Sequence, residues 1–180
     1  MKVNLKKQIS KNPFLLAPMD NVTDICFREI CEVNGASYTC TELTSVESLI
    51  RGYVANSRIE KSKLNINCVQ IFGSKVGSFS KATTMLNERG DVDIIDINLG
   101  CPSPNVTKHN SGSSLLKDQK NVGEIVSAVV KNSEVPVTCK IRLGYTNSTY
   151  NEVAKEIENA GAQLITVHGR TAKQKYSGVA

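Results

Sequence analysis

Short apolar runs alternate with helix-period segments along the whole chain, and no hairpin signal joins any two neighbouring runs. The runs lie at Phe14 to Ala17, Ser37 to Thr41, Cys68 to Phe72, Ile94 to Ile97, Val135 to Leu143 and Leu164 to Val167. Strands joined only by long crossovers must run parallel, and parallel sheets are normally covered by the crossover helices. The pattern therefore predicts an α/β fold. Thr23 to Asn34 reads as one such helix, capped by Thr23 and stopped at Gly35, with Phe27, Ile30 and Cys31 on its apolar stripe. Asn121 to Lys131 places Val122, Ile125, Val126 and Val129 on one face, and Thr149 to Ala160 does the same with Val153, Ile157 and Ala160. The first run is followed by "APMDNVTD" instead of a G-x-G-x-x-G turn, which favours a (β/α)8 barrel over an open dinucleotide-binding sheet.

Composition adds limits. The chain has 180 residues, one domain's worth, and 22 Lys+Arg against 17 Asp+Glu give a formal charge of +5. That balance suits polyanionic partners without selecting one. No run approaches the ~18 apolar residues of a membrane span, and "MKVNLKKQISKNPF" lacks the apolar centre of a secretion signal. A cytoplasmic protein with no membrane partner is expected. The 6 cysteines form no C-x-x-C pair, so disulfides and zinc both fit poorly, and all but Cys101 read as small core residues.

Successive side chains of a strand point to opposite faces. In "VPVTCKIRL" the apolar face holds Val137, Cys139, Ile141 and Leu143, and the other holds Thr138, Lys140 and Arg142. Likewise Val69 and Ile71 oppose Gln70, Ile95 and Ile97 oppose Asp96 and Asn98, and Ile165 and Val167 oppose Thr166 and His168. With the apolar faces against outer helices, Gln70, Asn98, Lys140 and His168 converge on the barrel axis near the C-terminal strand ends, where barrel enzymes place their chemistry. Taken singly, a strand Gln or Asn is an ordinary hydrogen-bonding residue and a lone His an ordinary core residue; Lys140 in a buried strand must find an anion or an acceptor. His109, in a polar loop, reads as a surface residue. An amide, a cation and an imidazole in one phase suit a flat heterocycle rich in carbonyls and ring nitrogens. A flavin fits, as do other heterocycles; metal hydrolysis does not, because no His, Asp and Glu cluster has ligand spacing.

These residues carry a resemblance to the flavin-dependent tRNA-dihydrouridine synthases, in their bacterial-type and archaeal branch. The matching segments are "LAPMDNVTDICFR" at Leu16 to Arg28, "VQIFGS" at Val69 to Ser74, "DIIDINLGCPSPNV" at Asp93 to Val106, "SGSSLLKD" at Ser111 to Asp118, "VPVTCKIRLGY" at Val135 to Tyr145 and "ITVHGRT" followed by Tyr176 and Gly178. The resemblance implies a TIM-type (β/α)8 barrel binding FMN, reduced by NADPH or NADH, which reduces the C5–C6 bond of a uridine in tRNA. It implies that Pro18, Met19 and Asp20 lie along the flavin and that Gln70, Lys140 and His168 contact its ring. It makes Cys101 the acid that protonates C5, and sets Asn98 and Arg142 near the uracil and flavin. A thiol suits that role, because an unperturbed Cys, pKa about 8.5, is protonated at neutral pH where a carboxylate is not. The target base must leave the RNA stack, and basic residues would attract the phosphates.

Departures from the family pattern set further expectations. Residues 1–180 match an incomplete barrel domain, truncated after about six strands; strands 7 and 8, whose loops commonly grip the cofactor phosphate, and a C-terminal helical tRNA-binding domain have no counterpart. An unclosed barrel exposes strand edges, so weak FMN binding, self-association or a completing partner chain is expected. Asp20 and Asn21 stand where relatives commonly carry small residues. The rival readings are a catalytically incompetent remnant or binding module, and another FMN barrel acting on free pyrimidines.

Overall fold

The computed structural model describes residues 3–63 and 66–180. Its centre is a parallel sheet of β1 (Thr39–Cys40), β2 (Thr44–Ser45), β3 (Asn67–Phe72), β4 (Ile94–Asn98), β5 (Val137–Arg142) and β6 (Leu164–His168). The spatial order is β1-β3-β4-β5-β6, with β2 also pairing β3, so the sheet curls into an open half-barrel and does not close. This is the α/β architecture that the strand and helix alternation predicts, in the form of a truncated TIM-type barrel.

The outer face is covered by α3 (Val46–Ile50), α4 (Val76–Arg89), α6 (Gln119–Asn132) and α7 (Tyr150–Asn159), while α1 (Leu5–Lys11) and α2 (Ile25–Val33) precede the sheet and α5 (Pro104–Thr107) follows β4. In α6 the stripe Val122, Ile125, Val126 and Val129 is fully buried, and in α7 so are Val153 and Ile157. In α4 the buried positions are Phe79, Ala82, Thr83 and Leu86, again one helical stripe. They pack on Val69, Ile71, Ile95, Ile97, Val137, Cys139 and Ile141 in one continuous core. Inside the curl, Leu5 of α1 meets Tyr38, Cys40, Cys68 and Ile94, an apolar floor beneath the polar strand ends.

Several expectations need correction. Phe14 to Ala17 forms no strand; Leu16 makes an isolated parallel bridge to Thr39, and this edge has no further strand beside it among the described residues. The second strand is split, because the Thr41 hydroxyl, in place of a ladder carbonyl, accepts the Gln70 N–H at 3.1 Å. Asp24, not Thr23, caps α2 by accepting the Phe27 N–H at 2.8 Å. Phe27 and Ile30 are exposed and Arg28 is the buried residue of that helix. Of the cysteines only Cys40, Cys68 and Cys139 are buried; Cys26 is exposed and Cys31 half-buried. Val167 is 43% exposed, since among the described residues nothing covers the outer face of the last strand there. Among the described residues no helix is long and apolar enough to cross a membrane.

Candidate active site

Register fixes the inner face in layers. Gln70 lies beside Asp96 and Asp96 beside Thr138; one layer up, Asn98 lies beside Lys140 and Lys140 beside Thr166; at the rim Arg142 lies beside His168. Two-residue periodicity puts all of these on the concave side. The expected quartet is thus on one face near the C-terminal strand ends, together with Asp96 and Thr138, which share the phase but carry no signal of their own in the sequence.

Asn98 ends β4 and organises the loop beyond it. Its Oδ1 accepts the N–H of Cys101 at 2.9 Å and that of Gly100 at 3.2 Å, while its Nδ2 donates to Gln70 Oε1 at 2.8 Å. The Cys101 carbonyl accepts the Ser113 N–H at 3.0 Å, which brings the next turn (Gly112–Lys117) back onto the thiol's backbone. Gly112 is needed there: its φ is +59°, and a Cβ would sit 2.8 Å from the Cys101 carbonyl oxygen. Burial raises the pKa of the Cys101 thiol above its ordinary value, the Ser103 N–H opposes this, and the charges of Asp20, Arg142 and Lys140 also reach it. The thiol is therefore protonated at neutral pH.

Lys140 is half-buried. Burial lowers its pKa, the Asp96 carboxylate works against that, and Arg142 adds to it. A cavity of about 70 Å³ is lined by the polar side chains of Asp96, Lys140 and Thr166, with Ala17, Pro18, Cys40 and Cys68 among its apolar residues. His168 has its pKa lowered by burial and by Arg142, Lys140 and Arg170, so the imidazole is neutral at pH 7. Its Nδ1 is buried without a hydrogen-bond partner.

Arg142 is committed to the scaffold. Its Nε donates to Gly100 O at 2.8 Å, and its Nη1 to Thr171 O and Lys175 O, both at 3.0 Å. The guanidinium thereby ties the loop after β4 to the segment after β6. On the other side of the site, Asp20 pairs with Arg58, and Arg58 reaches Glu42 at 3.6 Å. Met19 O accepts the Val22 and Thr23 N–H groups at 3.1 and 3.0 Å, which fixes the turn bearing Pro18, Met19 and Asp20. Glu42 and Arg58 are invisible to a reading of the sequence because no periodicity links them to the strands they brace.

The groups present suit a flavin. Two groups open on the trough, the Lys140 ammonium and the imidazole of His168, whose Nδ1 has no protein partner; beneath them the Gln70 carboxamide keeps one N–H and one lone pair after its protein bonds. Gln70 is fully covered in this structure, so a ring meeting it would displace a neighbouring side chain.

Fold and register together define an open α/β half-barrel with Gln70, Asn98, Lys140, Arg142 and His168 on its concave face near the C-terminal strand ends. The chain matches the dihydrouridine synthase (Dus) family over residues 15–180 and belongs to that family. It is 36% identical over 171 residues to a probable tRNA-dihydrouridine synthase of Rhizobium leguminosarum bv. phaseoli, covering 93% of this chain and 54% of that protein. It is 41% identical over 179 residues to tRNA-dihydrouridine synthase B of Pseudomonas aeruginosa, covering 94% of this chain and 52% of that protein. With tRNA-dihydrouridine synthase B of Pasteurella multocida the identity is 40% over 180 residues, again 94% of this chain and 52% of the relative. The chain spans about half the length of the curated relatives it matches.

Proposed function

We propose that this chain carries the catalytic half of a tRNA-dihydrouridine synthase, an oxidoreductase that saturates the C5–C6 bond of a uridine in tRNA. The observation that carries the reading is Cys101: a thiol kept protonated by burial, on a loop whose amides are held by Asn98. When bound, FMN reduced by NADPH or NADH would supply a hydride for C6. Cys101 gives its proton to C5, so the base gains one hydride and one proton, and the thiolate left behind is reprotonated from solvent. The charges of Lys140 and Arg142 favour that thiolate once it forms, against burial and the Asp20 carboxylate, which oppose it.

The remaining residues bind and orient. Pro18, Met19 and Asp20 form a fixed turn along one wall, where the cofactor would lie. Lys140 and His168 would hold the ring, Lys140 by charge and His168 by a neutral imidazole whose Nδ1 lacks a protein partner. Asn98 and Arg142 would act near the uracil through the loop they hold. On the rim, Lys117 stands 4.0 Å and Lys173 5.8 Å from the Tyr145 ring centroid, cations suited to RNA phosphates. The open sheet edges suit completion by further barrel strands, whether from a longer chain or a partner chain.

The test is complementation. In a strain lacking its own dihydrouridine synthases, the gene should restore dihydrouridine to bulk tRNA, and Cys101→Ala should not. Unchanged dihydrouridine with altered free-pyrimidine pools would favour a barrel enzyme acting on free bases instead.

A further inference from the structure

The proposed reaction leaves the buried acid of β4 unused. Asp96 is 6% exposed, faces the trough from the middle of β4 and lies one layer below Asn98. Its Oδ1 accepts the Thr138 hydroxyl, and its Oδ2 accepts Gln70 Nε2 at 2.7 Å.

Hydrogen-bond polarity makes this arrangement directional. Backbone N–H groups only donate, so the Asn98 atom facing Gly100 and Cys101 must be the oxygen. Asn98 Nδ2 then points at Gln70 and demands an acceptor, which sets Gln70 Oε1 on that side. Gln70 Nε2 is left pointing at Asp96 Oδ2, which accepts it; burial raises the Asp96 pKa, and the bonds from Thr138 and Gln70 and the charge of Lys140 work against that. The ends of the chain agree: an obligatory acceptor below and two obligatory donors above leave the two carboxamides one orientation each. Buried polar groups left without partners are costly, which makes the orientation stiff.

We propose that Asp96 is a positioning residue whose carboxylate fixes the Gln70 carboxamide and, through Gln70 and Asn98, the backbone that presents Cys101. Its importance for catalysis rests on the role proposed for Cys101, but the relay itself needs no cofactor and no RNA. It also gives the acid a second use, since the same carboxylate works to keep Lys140 charged.

The experiment reads Cys101 directly in the full chain without cofactor. The alkylation rate of the peptide containing Cys101 is followed by mass spectrometry, with thermal unfolding measured alongside. Asp96→Leu removes the acceptor, and Gln70→Glu sets two carboxylates against each other; each should change the Cys101 rate by about tenfold, the effect of one broken buried hydrogen bond. The double variant Asp96→Asn with Gln70→Glu reverses the bond between positions 96 and 70 while keeping the net charge of the relay. There the new carboxamide at position 96 donates to the new carboxylate at position 70, which still accepts from Asn98 Nδ2. The Thr138 hydroxyl still donates, now to the carboxamide oxygen at position 96. The Cys101 rate of this double variant should return to within about twofold of the wild-type chain, with the melting temperature restored. A single variant too unstable to assay is judged by the same comparison, since the double variant must then fold. A double variant no better than Gln70→Glu, or a Gln70→Glu chain indistinguishable from wild type, overturns the proposal. A rescued double variant beside a chain that never reduces tRNA would sink the reaction and keep the relay.

Discussion

Asn98 Oδ1 accepts the Cys101 N–H at 2.9 Å, so the last residue of β4 holds the thiol-bearing loop by its backbone. The same oxygen takes the Gly100 N–H at 3.2 Å. Asn98→Ala would leave both donors, and Gln70 Oε1, without partners. A loss of about 1–3 kcal/mol in urea unfolding is expected, together with faster alkylation of Cys101. Unfolding within a few tenths of wild type would show that water replaces the side chain.

Gly112 supports the loop from the opposite side. An alanine there meets the left-handed backbone cost of about 1–2 kcal/mol and drives its methyl group to 2.8 Å from the Cys101 carbonyl oxygen. Gly112→Ala should therefore destabilise by more than the backbone term alone, while Gly90→Ala, at a left-handed helix end with open space around it, should lose only that term. Equal losses at the two sites would remove Gly112 from the Cys101 support.

Protonation of Cys101 has a signed consequence. A thiol with a raised pKa in the folded chain keeps its proton after the unfolded chain has lost it. The stability this gives is complete below the unfolded value, about 8.5, and is lost as pH rises through the higher folded value. The stability difference between wild type and Cys101→Ala should accordingly shrink above pH ~8.5. The alkylation profile of Cys101 should have its midpoint above that value, and a midpoint near neutrality would contradict a protonated acid.

What the sequence made legible was the period-2 phase. Gln70, Asn98 and Lys140 fall on one face because each alternates with apolar neighbours that the outer helices bury, and His168 shares their phase although Val167 beside it is exposed. Asp96 shares that phase, yet its role depends on a partner across the sheet at Thr138 and on the amide orientation of Gln70, which only register reveals. Arg142 has the right phase too, but its donors end on the carbonyls of Gly100, Thr171 and Lys175, a tie between the loop after β4 and the segment after β6 that no spacing encodes. The helix-period stripe of α2 was legible and its burial was not, because Phe27 and Ile30 lie where nothing else in the described chain packs.

Those open faces give a prediction about association. Phe14 is 76% exposed and Val33 73% on one side of the half-barrel, and Val167 is exposed on the other. Unpaired parallel edges with apolar flanks attract further strands. Sedimentation of the isolated chain should show concentration-dependent self-association that Phe14→Lys with Val33→Glu reduces. A monomer at high concentration would contradict this.

In the proposed reaction Cys101 delivers a proton to the base and takes no part in reduction of the cofactor. Single-turnover kinetics, with FMN in excess, separate the two half-reactions. In Cys101→Ala, flavin reduction by NADPH should stay within about twofold of wild type, while reduction of uridine in tRNA should fall by about 10²–10⁴, the usual contribution of a general acid. Equal loss in both half-reactions, or undiminished reduction of tRNA, would contradict the account.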